Sequence, residues 1–357
     1  MLYNFTPNYT NILHSAQNKR PKRLPLYEHA ISEKVMEQIL GEKFKDLYNG
    51  NANEKQRFFN KYTDFFKKMG YDTVSFERCI TSIMPGGGAL YGHKEGAIKN
   101  RQDFEKYPWD EIHDIFFKKY ENDFELLKKV MPKGMKAVGG PGNGVFECVQ
   151  DIVGYSNLCY ILADDQDLFK DLFNKIAKVM YKIWETFLRR FGDVYVVCRF
   201  GDDLGFKSST LISPEDIKGI IIPKYAQIIK LIHSYNKPFL LHSCGNIFNV
   251  MDDIIDVAKI DAKHSNEDQI APFSTWVDKY NLRIGLFGGI DTDILCRKDT
   301  KEIKEYVKDV INHIMIHGRG NAIGSGNSIP DYVPTEGFLT MVETVREMRG
   351  DFQEKIL

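Results

Sequence analysis

One small unit, repeated along the chain, narrows the available folds more than any other feature. A short apolar run ends in polar or glycine residues, and helical periodicity follows. The runs fall at 24–30, 73–79, 136–143, 194–198, 238–241, 258–262 and 282–287, with a last one starting at 321. Strands alternating with helices pair in parallel, because each crossover returns the chain to the same end of the sheet. Eight repeats predict the α/β class and a single-domain TIM (β/α)₈ barrel. Ser213-Pro214-Glu215-Asp216 marks one helix start, with a capping serine, proline at the first position and acid in the first turn. The division expected is a polar, irregular surface lead-in over 1–20 and the barrel over 21–357.

In such a barrel the chemistry gathers where the strands end. Those positions hold Glu28 and His29, Glu77 and Arg78, Gly142 and Asn143, Asp202 and Asp203, His242 and Cys244, His264 with Glu267 and Asp268, Asp291, and Ser325 with Asn327. Among them His242-Ser243-Cys244-Gly245 is the sharpest. Residues i and i+2 of a strand share a face, so an imidazole and a thiolate can converge on one ion. Nitrogen and sulfur ligation with an open position suits Zn²⁺. The plainer alternative is a buried cysteine beside a histidine bonded to the next strand. Asp202 and Asp203 are candidates to orient substrate or move a proton, or else simply fill a turn. Glu28 is a third candidate catalytic group, although either Glu28 or His29 must point away from the barrel axis. Asn143, Asp291 and Asn327 are candidate cofactor contacts at the rim. The glycine-rich stretch 84–92 lacks the lysine and spacing of a phosphate loop and reads as a flexible loop over one end.

Composition excludes more than it selects. The formal net charge is −1, which leaves no basic footprint for nucleic acid or an anionic membrane. The apolar runs are too short to span a bilayer, and the N-terminus lacks a signal-peptide pattern. Six cysteines are scattered without a CxxC pair, which suits reduced thiols in a cytoplasmic enzyme.

Several short motifs in order carry a resemblance. They are Arg20-Pro21-Lys22-Arg23-Leu24-Pro25, Ile212-Ser213-Pro214-Glu215, Gly288-Gly289-Ile290-Asp291 and Gly324-Ser325-Gly326-Asn327-Ser328-Ile329-Pro330. Over about residues 20–350 the chain resembles the uroporphyrinogen decarboxylase superfamily. His242-Ser243-Cys244-Gly245 is similar to the zinc motif of its cobalamin-linked methyltransferase branch, the methylcobamide:coenzyme M type. That resemblance implies methyl transfer between a corrinoid and a thiol or other small acceptor. No corrinoid-binding motif occurs in this chain, so the methylcorrinoid would arrive on a small partner protein.

Two departures from the pattern matter. The decarboxylases carry further arginines on the first strand to hold substrate carboxylates, and here Glu28 stands in that region. Porphyrinogen decarboxylation is therefore disfavoured. The methyltransferase branch also takes a third zinc ligand, a cysteine, from the loop after the last strand, where this chain has Ser325. Replacement ligands would come from Glu147, His264, Glu267 or Asp268, with Glu267 and Glu147 preferred and Cys296 ranked below them. The rival functions are a metal-free decarboxylase of a small acid or porphyrinogen, and a non-catalytic binding barrel.

Overall fold

The computed structural model describes residues 5–92 and 94–351. Its centre is one parallel sheet of seven strands in chain order: β1 (Thr73–Cys79), β2 (Lys136–Gly142), β3 (Tyr195–Gly201), β4 (Phe239–His242), β5 (Ala262–His264), β6 (Gly285–Ile290) and β7 (Asn321–Ser325). Every residue of β3, β4, β5, β6 and β7 is buried. Helices cover one face and the sheet's own interior the other, which is why β4 and β6 are almost wholly apolar and the polar residues of β3, β5 and β7 are buried too. The outer helices include Ala52–Met69, Ile112–Val130, Gln166–Phe191, Ile222–Ser234, Thr300–His317 and Thr335–Met348. Their starts follow local chemistry. Asn51 with Glu54 and Asp299 with Glu302 form capping boxes, and the Ser213 hydroxyl accepts from the Asp216 N–H.

The expected strand over 24–30 does not form as a strand, so seven strands stand where eight were expected. The segment makes only isolated parallel bridges to the β7 side, Leu26 to Ile323 and Ile31 to Ile329. Two features stop the ladder. Pro25 accepts from the Ile323 N–H but has no N–H of its own to return. Further along, the Ser325 N–H donates at 3.0 Å to the Glu28 carboxyl rather than to a backbone carbonyl. On its other side the segment meets β1 through a side chain, the Ser75 hydroxyl donating to the Glu28 carbonyl. The segment thus touches both edge strands of the curled sheet, and the α/β fold is TIM-like with an irregular first member.

Other boundaries moved as well. The sixth run, read at 258–262, begins later as β5, because the preceding turn ends at Lys259 with φ of 64°. The lead-in is not an irregular surface segment. It contains the helix Thr10–Ala16, whose Ile12 and Ala16 are wholly buried against Tyr27, Val138, Leu240, Ala262, Phe287 and Ala322 inside the sheet. The Ser15 hydroxyl donates to the Asn321 carbonyl at the start of β7. The helix therefore plugs the end opposite the strand tips, and burying a side chain such as Ile12 stabilises by about 1.5–3 kcal/mol. The glycine-rich loop 84–92 is tied down too. The Gly88 and Leu90 N–H groups donate to the Asp151 carboxylate, and the Ala89 N–H donates to the Asp151 carbonyl.

Candidate metal centre

Alternation along the strands lifts a polar layer above the apolar interior. Leu240 and Ala262 belong to the interior cluster. Two residues on, His242 and His264 face the same way, and they are register partners across β4 and β5. Their rings need space, and small neighbours provide it. A Cβ on Gly201, the β3 partner of His242, would lie 3.3 Å from that ring, and one on Gly288 would lie 3.1 Å from the His264 ring.

At the tip of β4 three donor atoms meet. The Cys244 sulfur lies 3.4 Å from His242 Nε2, and Asp203 Oδ1 lies 3.8 Å from the same nitrogen. Two ligands of a tetrahedral zinc, at ordinary Zn–N and Zn–S lengths, are about 3.5 Å apart. The Cys244–His242 separation is close to that spacing, and Asp203 stands slightly farther out. Asp203 also accepts from the Cys244 N–H at 2.8 Å, which fixes its carboxylate beside the thiol. A second group of converging atoms comprises His29, His242 and His264.

Burial governs the protonation of the groups at the corner. Burial pushes the Cys244 thiol up, and the Asp203 charge pushes it further. Burial holds the imidazoles of His242 and His29 well below their ordinary value, and that of His264 down to about 3. Neutral imidazoles are what a metal requires. Two further donors lean on the sulfur, the Ser265 hydroxyl at 3.4 Å and the Asn327 amide at 3.5 Å. Lys263, pushed down to about 7 by burial, sits below with its ammonium 4.0 Å from the Trp276 ring centroid.

The remaining candidates land in various places. Glu28 does not face the corner. It is wholly buried, with both carboxyl oxygens on Ser325, one taking the N–H and the other the hydroxyl. Its neighbour His29 faces in instead, stacked on His242 with ring centroids 3.9 Å apart. Asp202 is a remote helix cap. Its carboxylate accepts from the N–H groups of Phe146 and Glu147 and from the Tyr225 hydroxyl, and burial pushes it above the usual carboxylate range. A Cβ on Gly144 would collide with it at 2.2 Å. Asp291 caps the helix Thr292–Arg297 and also accepts from the Asp268 N–H.

Neither Glu147 nor Glu267, preferred as third ligands, belongs to either converging group. Glu147 accepts from the Asn143 amide at 2.8 Å, and burial, then Asp202 and Asp203, raise its carboxyl well above the usual range. Asn143 also accepts from the Thr81 hydroxyl. The group that meets His242 and Cys244 is Asp203, singled out from sequence for another role. Ser325 offers the corner nothing, because its hydroxyl is bound to Glu28. Sequence reasoning underrated His29 and His264. His29 shares its face with Tyr27, but the direction of that face follows only from the register with β7.

No curated protein matches the chain. Among solved structures, a methyltransferase from Methanosarcina mazei superposes with a TM-score of 0.69 at 14% identity, covering 95% of this chain and 98% of that one. At that identity the likeness concerns the fold. A B12-independent methionine synthase from Shewanella sp. superposes at 0.45 with 12% identity, over 64% of this chain and 66% of the other. The family model described as uroporphyrinogen decarboxylase (URO-D) matches residues 9–348. That span runs from just before the plug helix to the end of the last helix, and over it the chain belongs to the uroporphyrinogen decarboxylase family.

Proposed function

We propose that this protein is a zinc-dependent methyltransferase that moves a methyl group between a corrinoid carried by a small partner protein and a thiol or other small acceptor. The observation that carries the reading is the corner itself, with Cys244 sulfur 3.4 Å from His242 Nε2 and Asp203 beside them. Asp203, His242 and Cys244 would hold the ion, leaving one position for the acceptor. A zinc ion in that position makes a thiol acceptor a thiolate at neutral pH.

The chain's own residues do the rest. His242 would anchor the ion from the end of β4 and Cys244 from the turn just past it, Asp203 would close the corner from beyond β3, and Ser265 and Asn327 donate to the sulfur and hold its direction. The family membership and the fold shared with a methyltransferase support the reading. Carboxylate-directed decarboxylation is less well supported. Arg199 is committed to Glu77 at 2.8 Å and to the Tyr27 hydroxyl, and Arg78 is committed to Asp123 at 2.6 Å.

The test is metal content after chelator-free purification, with methyl transfer from methylcobalamin to a small thiol. Near-stoichiometric zinc is expected in the native protein. Cys244→Ser should lose both zinc and transfer while keeping its thermal transition. A Cys244→Ser protein that retains both would overturn the reading.

A further inference from the structure

A histidine can ligate a metal only through a nitrogen that carries no proton, so the value of the corner depends on which nitrogen of His242 is bare. Two partners of His264 decide it. His264 Nε2 lies 3.0 Å from the Ser325 carbonyl oxygen. A carbonyl only accepts, so Nε2 carries the proton. His264 is wholly buried and no carboxylate is among its hydrogen-bond partners, so it takes the uncharged form and its Nδ1 is a bare acceptor. That Nδ1 lies 2.7 Å from His242 Nδ1. One proton must sit between them, and only His242 has one to give. His242 is thus protonated at Nδ1 and bare at Nε2, the atom facing Cys244 and Asp203.

The same distance separates the two converging groups. Two nitrogens on one tetrahedral ion would be about 3.4 Å apart. The 2.7 Å between the Nδ1 atoms is a hydrogen bond, so the three histidines do not form a cage of their own. His29 instead lies flat on the His242 ring, tilted by 25°, and Gly201 flanks that ring across the β3–β4 register.

We propose that the Ser325 carbonyl and His264 form a positioning relay that sets the tautomer and aim of His242. This inference rests on the metal-centre reading and adds two residues that touch neither metal nor acceptor. It also gives a reason for the broken ladder beside β7. The Ser325 N–H is taken by Glu28 and its carbonyl by His264, so neither is free to pair with the 24–31 segment.

Two measurements test it. In metal-free native protein carrying isotope-labelled histidine, long-range nitrogen–proton correlation spectra should show His242 protonated at Nδ1 and His264 at Nε2. The opposite tautomer of His242 would overturn the relay, whether or not the protein binds zinc. Zinc affinity, read by competition with a chromophoric chelator, supplies the second readout. His264→Phe should weaken binding about 10–100-fold, the range for loss of an outer-shell partner. His264→Asn places an acceptor oxygen near the position of Nδ1, and it should stay within about threefold of native on the same scale. If His264→Asn loses as much as His264→Phe, or neither loses any, the relay is wrong. If native protein binds no zinc while the spectra show the expected tautomers, the metal reading fails and the relay stands.

Discussion

Glu28 and Cys244 both sit among buried polar groups near the strand ends, and both are pushed far from their ordinary pKa by burial. They differ in what surrounds them. Each oxygen of Glu28 has a donor from Ser325, and the Ser75 hydroxyl holds the Glu28 carbonyl. Cys244, His242 Nε2 and Asp203 instead bring three potential ligand atoms from different positions to one corner. A closed set of hydrogen bonds reads as structure, because nothing is left for a ligand to satisfy. A group of ligand-type atoms from three side chains within reach of one another can hold a cation. Among candidates that look equally functional in sequence, the convergence of ligand-type atoms separates the corner from the clasp.

The comparison breaks most visibly at Asp203. Asp203→Ala should weaken zinc binding at least about 100-fold, since a ligand should matter no less than an outer-shell partner. The same change should alter unfolding free energy by less than about 1 kcal/mol, because the side chain is 42% exposed. Unchanged zinc affinity by chelator competition would remove Asp203 from the centre.

The reverse pattern is expected at the clasp. Glu28→Ala strands the Ser325 N–H and hydroxyl and should cost about 2–3 kcal/mol in urea unfolding. Zinc affinity should change far less than in Asp203→Ala. Equal losses of affinity in the two variants would mean that clasp and corner are not separable.

The clasp also carries a pH signature. Burial raises Glu28 to about 8 against the Ser325 hydrogen bonds, which lower it. The folded state keeps this proton where the unfolded chain, near 4.5, has lost it. Stability from this group is therefore full below about 4.5 and declines as pH rises toward about 8. Glu28→Gln mimics the protonated carboxyl, so it should flatten that decline and stabilise the protein at pH 8 relative to native. A native-like slope in Glu28→Gln would show that another group sets the dependence.

The smallest effect is expected at Asp202. Asp202→Asn keeps an acceptor for the helix Val145–Val153 but removes its charge, and should cost about 1 kcal/mol. Zinc binding should be unaffected. A large loss of zinc would place Asp202 in the site rather than beneath a helix.

Much of this was legible from local pattern. The two-residue repeat of a strand puts His242 and Cys244 on one side, although β4 ends at His242 and Cys244 reaches the corner from the turn beyond, and the parallel sheet needs only alternation of strands and helices. The helix start at Ser213 is likewise written within a turn of its own residues. The plug helix was hidden because its polar setting masks two apolar residues, Ile12 and Ala16, whose partners lie far along the chain.

What the tertiary structure alone decided depends on register between distant strands. Which of Glu28 and His29 faces in is settled by the bridge from Leu26 to Ile323, since a one-residue slip would exchange them. That Asp203 rather than Glu147 or Glu267 completes the corner follows from Gly201 pairing with His242, which brings the β3 end beside the β4 end. His264 bonds His242 because the two are register partners. The sequence determined which side chains a strand end can offer, because alternation is local. Which offers meet, and which are satisfied elsewhere, was left to strand register, because it is set by packing over hundreds of residues.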